Sequence, residues 1–376
     1  MKRTPLLGLA ALLWACSVTG CKGSGGAASD AMTLLPKESS IVFALNLDRL
    51  RGSKVWANVQ EYRNDPSSKK DYDEFVQKTG LDPLTQVTMV LGGVPSDVDT
   101  SHEMAVVIKG KFDEQKLVAY AREKQKTDPN HPGEIKSESY GGKTIYSSDD
   151  QMGFVFLDGT TFALAGKNWV KKVIDLAAGK GESVKRNDAV QALVKKTKTQ
   201  AALWGVGQVP PGKAALDTGG ELKSIAGNAD FGSGLAVDVF AEAQSADQAK
   251  KLTEDTQKKI EEIKKNPMLA MTGMGGLIES MKVMSEGASM HVTVNMNQQQ
   301  TDELANRLKG LVKMFQGMGG MGGGLGGIGG PGAMPPGMGP GPGGMPPGMG
   351  APGAMPDLPK LQPPGTSKPA GGKKHK

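Results

Sequence analysis

Cysteine is nearly missing from this chain of 376 residues: there are two, Cys16 and Cys21, both close to the N-terminus. No disulfide framework braces the rest, so the fold must come from a hydrophobic core. Histidine is almost as rare. His102, His131, His291 and His375 are the four, spread singly over two loops, a strand and the tail, and no pair has the i,i+4 spacing that sets two imidazoles on one metal ion. His291 alternates with Val292 and reads as a solvated strand residue. Aromatic residues make up 5% of the chain, which leaves few rings to stack on sugars or bases, and Trp169 and Trp204 fall on core-like patterns. Phosphate chemistry lacks its loop: a P-loop needs a glycine five positions ahead of Gly-Lys-Thr, and Gly142-Lys143-Thr144 has Ser137 there. That stretch reads as a turn leading into a strand. Asp230-Phe231-Gly232 spells a kinase magnesium motif without its Gly-rich loop, strand lysine or catalytic loop, and reads as coincidence. No Gly-x-Ser-x-Gly elbow occurs. The sequence therefore assigns no catalytic residue, no metal ligand and no cofactor. Nucleic acid is not expected as a partner, because basic charge is not clustered with aromatics.

What is present begins with an address. Lys2 and Arg3 precede an apolar segment from Leu6 to Val18, too short to cross a hydrocarbon core of ~30 Å and read as the h-region of a secretion signal. The segment ends in Val18-Thr19-Gly20-Cys21, which resembles the lipobox of bacterial lipoproteins. The resemblance implies recognition of Val18, Thr19 and Gly20 by signal peptidase II, a diacylglycerol on the Cys21 thiol and acylation of its new amino group. Cys16 is the poorer candidate, since Trp14 stands where a small or short aliphatic residue is wanted. Each buried methylene contributes about 0.8 kcal/mol, so several acyl chains would hold the chain on a membrane permanently. Lys22 in place of Asp implies, by the sorting rule of enteric bacteria, an outer-membrane lipoprotein. The formal charge of +6 includes Lys2 and Arg3, whose removal leaves about +4.

Composition then divides the chain. After a signal peptide over 1–20 comes a Gly/Ala/Ser-rich stretch over 21–31, expected to be a flexible spacer behind the lipidated Cys21. Residues 32–316 have ordinary globular composition, and residues 317–376 collapse to Gly, Pro and Met, with Met-Pro-Pro-Gly-Met-Gly written at 334–339 and again at 345–350. Such a tail buries too little to offset its ordering entropy. Lys360, Lys368 and the terminal Lys373-Lys374-His375-Lys376 give it a basic free end, suited to an anionic envelope surface such as peptidoglycan or phospholipid. Met334, Met338, Met345, Met349 and Met355 are soft ligands of the kind that hold Cu(I), although Met-x-x-Met and Met-His clusters are missing.

The body alternates strand and helix signals twice. Strands are predicted at Ile41–Leu47, Thr88–Leu91 (ended by Gly92-Gly93) and Glu103–Lys109, followed by a helix capped by Asp113 and stapled by Phe112 and Leu117. Three short strands follow at Lys143–Ser147, Gly153–Leu157 and Thr161–Ala165, then a helix presenting Trp169, Val173 and Ala177 and another around Ala189, Leu193 and Lys196. The second pass has strands at Ala201–Val206 and Leu235–Ala241, the latter with a period of two. Ser245 through Gln248 spells a capping box. It opens a long helix with Ala249, Leu252, Thr256, Ile260 and Ile263 inward. A helix over Leu277–Met284, a strand over Met290–Met296 and a helix through Leu304, Leu308, Leu311 and Phe315 complete it.

The pattern predicts an α+β fold, antiparallel sheets backed by helices on one side, either as two tandem copies of one module (32–199 and 200–316) or as one irregular domain. Leu35-Pro36, the strand ending in Asp48 and Gly80-Leu81-Asp82-Pro83 resemble families of exported bacterial proteins that open with Leu-Pro and carry a Gly-Leu-Asp-Pro element ahead of a strand. That resemblance implies no activity. The expectation is a membrane-anchored envelope lipoprotein with a non-catalytic binding or structural body. The alternatives are a cell-envelope hydrolase built on Asp and Glu carboxylates, and copper handling by the tail. A deep pocket with convergent carboxylates favours the hydrolase, and a broad exposed surface favours a protein partner.

Overall fold

The computed structural model describes residues 25–63, 66–96, 103–127, 134–148, 151–210, 222–265 and 274–307. The signal segment with Val18, Thr19, Gly20 and Cys21, and the tail 317–376 with its methionines and lysines, lie outside the described residues. So do His102, His131, His375, Leu308, Leu311 and Phe315.

Twelve strands among the described residues form a single antiparallel sheet in the order β11-β12-β10-β9-β8-β1-β2-β3-β7-β6-β5-β4. The first half runs α1 (Gly25–Met32), β1 (Ile41–Asn46), α2 (Leu47–Arg51), α3 (Trp56–Arg63), α4 (Pro66–Thr79), α5 (Pro83–Gln86), β2 (Met89–Val94), β3 (Ala105–Lys109) and α6 (Glu114–Thr127). It continues with β4 (Lys136–Tyr140), β5 (Lys143–Ser147), β6 (Met152–Asp158), β7 (Thr161–Gly166), α7 (Lys167–Ala177), a 3-10 turn over Val184–Arg186 and α8 (Asp188–Val194). The second half runs β8 (Leu203–Gln208), β9 (Leu222–Asp230), β10 (Gly234–Ala243), α9 (Ala246–Lys264), α10 (Gly275–Ser280), β11 (Met281–Glu286) and β12 (Ser289–Asn297), with helix again over 298–307.

Both halves follow one plan. A three-strand meander leads into a helix, and the chain then returns so that its last strand lies beside the third: β1-β2-β3-β7 in one, β8-β9-β10-β12 in the other. The first strands of the two halves, β1 and β8, pair antiparallel from Ile41 opposite Gly207 to Leu45 opposite Leu203. A half-turn about an axis normal to the sheet at this seam therefore maps one strand order onto the other. The halves share one continuous sheet rather than forming separate sheets, and all described elements belong to one compact unit. Phe43 sits at the seam opposite both Gly92 and Gly205. A Cβ at Gly92 would fall 2.1 Å from the Phe43 ring, so Gly92 is the middle of a strand packed under an aromatic ring rather than a strand end.

Helices cover both faces in the first half, not one as expected. The reason is local: β2 and β3 are buried at nearly every position, and a strand apolar on both sides needs cover on both sides. On the first face Val42, Leu91, Val107 and Val155 pack with Trp169, Val173, Val190 and Trp204, under α7, α8 and α1. On the second face Leu45, Val90 and Ile108 pack with Leu50, Trp56, Leu84 and Leu117, under α2 to α6. Over 25–31 the spacer reading is corrected by α1: Ala28 and Ala31 are fully buried in the first core. Small side chains that suggest a flexible coil here allow a close helix approach instead.

Local chemistry ends and starts these elements as the sequence suggests. Asp113 accepts from the Lys116 amide at 3.1 Å and Ser245 from the Gln248 amide at 3.2 Å, capping α6 and α9. Gly141 and Gly142, at φ 57° and 76°, make the β4–β5 turn, so Gly142-Lys143-Thr144 is a hairpin. Trp169 and Trp204 are both buried. Ile263 departs from its expected inward position and is 43% exposed near the end of α9. Strand β11 starts at Met281, cutting the helix expected over 277–284 down to α10. Glu103 is the unusual buried carboxylate. It accepts from the Asn168 amide at 3.2 Å, the Asn168 side chain at 2.8 Å and the Trp169 amide at 3.1 Å, satisfying the free N–H groups at the start of α7.

Candidate functional site

The two halves differ in what covers the first face of the sheet. In the first half α7 lies on β6, β7 and β3, its apolar stripe Trp169, Val170, Val173 and Ile174 buried. Over the second half the neighbouring helix α8 lies chiefly on β8 and β9. Beyond it one cross-strand row runs out from the core: Val206, Ala226, Phe240, His291 and Met284 face each other in register. Exposure rises along that row, from 3% at Val206 and 0% at Ala226 to 46% at Met284.

Polar rows flank it. Asn228, Asp238, Thr293 and Lys282 lie on one side, and Ser224, Glu242, Ser289 and Glu286 on the other. Alternation along each strand puts all three rows on the same face, while Val237, Val239, Val292 and Val294 point to the opposite face, where Leu252 of α9 packs with Ala241 and Met290. The result is an apolar band about one residue wide, bordered by hydrogen-bonding groups.

His291 corrects its sequence reading. It is half-buried, stacked on Phe240 with ring centroids 4.1 Å apart and planes 11° off parallel, and its Nε2 is hydrogen-bonded to Asp238 Oδ1. Lys198 approaches the other Asp238 oxygen at 3.6 Å. The segment after α8 leans over this border: Lys196 pairs with Glu242 at 3.0 Å, and the Asn228 side chain donates to Thr197 at 3.4 Å. Glu242 also accepts from Ser224 at 3.2 Å. The hydrogen bond from Lys196 holds the Glu242 carboxyl below the usual glutamate range, against the upward push of partial burial. An imidazole held by a carboxylate is the arrangement that orients a general base, but Phe240 covers one ring face and the hydroxyls Ser289 and Thr293 sit two positions away along β12.

Where the segment 197–201 meets the β9–β10 turn lies a polar depression of ≈ 340 Å³, lined by Arg49, Thr197, Lys198, Gln200 and Asp230. Asp230 is tied to the Arg49 guanidinium, which contacts both its oxygens. The Asp230-Phe231-Gly232 motif is thus an ion-paired turn with Phe231 buried at 2% exposure. Among the described residues no group of three or more His, Cys, Asp or Glu side chains is placed to hold a metal ion, and no helix is long and apolar enough to cross a membrane.

The sequence-assigned lipidation residue Cys21 and its recognition residues Val18, Thr19 and Gly20 lie outside the described residues, so the open face is a separate feature. Sequence reasoning missed it. The period of two in β10 separates Asp238 and Glu242 from the valines, but the partner rows come from β9, β11 and β12 and depend on register.

No family model matches the chain, and no curated protein matches it. Among solved structures, crystal form III of TP0453 is similar at a TM-score of 0.44 and 9% identity, over 74% of this chain and 97% of that one. Form IV of the same protein gives 0.41 and 10% over 80% and 98%, and form I gives 0.37 and 9% over 79% and 99%.

Proposed function

We propose that the chain is a membrane-anchored envelope lipoprotein whose folded body is a non-catalytic binding module, taking a protein partner on the open face of its second half. The observation that supports this reading is the row Phe240, His291 and Met284 between two polar rows, which no helix among the described residues covers and which rises from partial exposure to 46% at Met284. Phe240 and His291 are held in place before any partner arrives, by stacking and by the bond to Asp238. Little side-chain entropy is then lost on docking. An aromatic ring and a thioether with hydrogen-bonding groups around them match the make-up of interface centres and rims. The shallow depression beside Arg49 and Asp230 has its carboxylate neutralised by an ion pair, which does not suit a hydrolase needing two free carboxylates.

Anchoring is proposed at Cys21, with secretion directed by residues 1–20. Palmitate incorporation that is lost in Cys21→Ser, with release of the protein from the membrane fraction, is the expected result. Label retained in Cys21→Ser would remove the anchor. For the body, Phe240→Ala and Met284→Asp are expected to lose retention of whatever protein copurifies with detergent-extracted wild type, while an exposed control on the far edge, Ser139→Ala, keeps it. Equal retention by all three variants would remove the open face from the function.

A further inference from the structure

Helix α1 sets how far the body can stand from the membrane. Ala28 and Ala31 have no exposed surface, and Met32, Leu34 and Leu35 continue into the same core with Val184. The chain around α1 is fastened in several ways: Lys185 donates to Ser29 at 2.9 Å, the Val184 amide donates to the Leu35 carbonyl at 2.8 Å and the Lys37 amide to the Glu182 carbonyl at 3.2 Å. Pro36 and Ser183 form an isolated antiparallel bridge. The start of the body is therefore packed into its largest core rather than trailing from it.

From Cys21 to Gly25 there are four peptide links, which fully extended span at most about 14 Å. Even with the first turn of α1 undone, the distance from Cys21 to the buried Ala28 cannot exceed about 25 Å. Building on the lipoprotein reading, we infer that the patch formed by α1 and the Val184–Arg186 turn is the side of the body held against the phospholipid headgroups. A glyceride buried in the bilayer leaves no spacer able to lift the body away, so this patch remains at high effective concentration beside the headgroups. Its exposed cations stand among the acids Asp30, Glu182 and Asp188. Lys180 and Arg186 are exposed, Lys185 projects from the same turn, and Lys37 is 46% exposed with Glu182 as its partner. Screened attraction of such cations to anionic lipid acts over about 8 Å at physiological ionic strength.

The test uses the lipidated full-length chain, in which Cys21 is consumed by lipid and an introduced cysteine is the only free thiol. Arg186→Cys and Glu286→Cys are each labelled with a fluorophore and reconstituted in phosphatidylethanolamine/phosphatidylglycerol vesicles carrying a headgroup quencher. Severalfold stronger quenching at 186 than at 286 is expected. Inserting about twenty Gly/Ser residues between Ser24 and Gly25, with an r.m.s. reach near 25 Å, should reduce that difference. Palmitate incorporation is measured on the same samples. Lipidated protein with equal quenching at the two positions overturns the inference alone, quenching unchanged by the insertion overturns the tether as its cause, and absence of palmitate overturns the anchor on which it rests.

Discussion

The first and second halves share a strand order and differ in cover. In the first, the helix after the last strand, α7, folds across the first face and Glu103 locks its start. In the second, residues 298–307 continue from β12 with Thr301 buried and Asp302 within 4.0 Å of Lys54, beside the second-face cluster that holds Trp56. Among the described residues the first half is covered on its first face by α7, and the second half, whose core lies under α9 on the other face, presents sheet there.

The comparison breaks most sharply at the seam. Trp204 on β8 is buried at 2% among first-face residues from both halves, and Trp204→Ala should cost about 3–5 kcal/mol. If the continuous sheet unfolds as one body, urea denaturation followed by circular dichroism shows a single transition at a lower midpoint. Two separated transitions in the wild type would mean that the halves are independent despite the β1–β8 pairing.

A smaller loss tests the lock on the covered half. Glu103→Ala removes three hydrogen bonds at the start of α7 and should cost about 1–3 kcal/mol, since the Trp169 amide is buried while Asn168 is exposed and can turn to water. Hydrogen exchange should rise in α7 and leave β10 and β12 unchanged. A loss spread evenly over both halves would say that Glu103 braces the whole sheet.

On the open half, Met284→Gln should move stability by no more than about 0.5 kcal/mol, the range for an exposed site, as read by thermal unfolding. A larger loss would mean that Met284 is packed. The smallest effect concerns the border. The Lys196 hydrogen bond lowers the Glu242 pKa, so its contribution to stability is present above the ordinary glutamate pKa and is lost as pH falls through the depressed value. Carboxyl NMR titration should find Glu242 titrating below the usual glutamate range and returning toward it in Lys196→Met. No movement in that variant would remove the ion pair as the cause.

Much of the covered half is legible in the sequence, because its signals are local. A cap such as Asp113, a turn such as Gly142-Lys143 and the spacing of Trp169 and Val173 each state their own geometry within a few residues, although Ala177, expected on the same face, is exposed. The seam is not local: nothing near Ile41 points to Gly207. Strand β9 escapes detection because Ser224 and Asn228 are polar and Gly227 interrupts any period, which is what a strand looks like when it runs from covered to uncovered sheet. Helix α1 escapes for the opposite reason, since its Ala and Gly content carries no helical stripe and its order comes from burial of Ala28 and Ala31. The open face combines both difficulties. His291 reads as solvated until register sets it between Phe240 and Met284 and diagonal to Asp238.

The most direct test of the open face as the working surface is oxidative footprinting of Met284 and Phe240 in native envelopes and in detergent-extracted, purified protein, with buried Met89 as the internal reference. The account predicts oxidation of Met284 and Phe240 in the purified protein and protection of both in the envelope. Equal oxidation in the two preparations would contradict it.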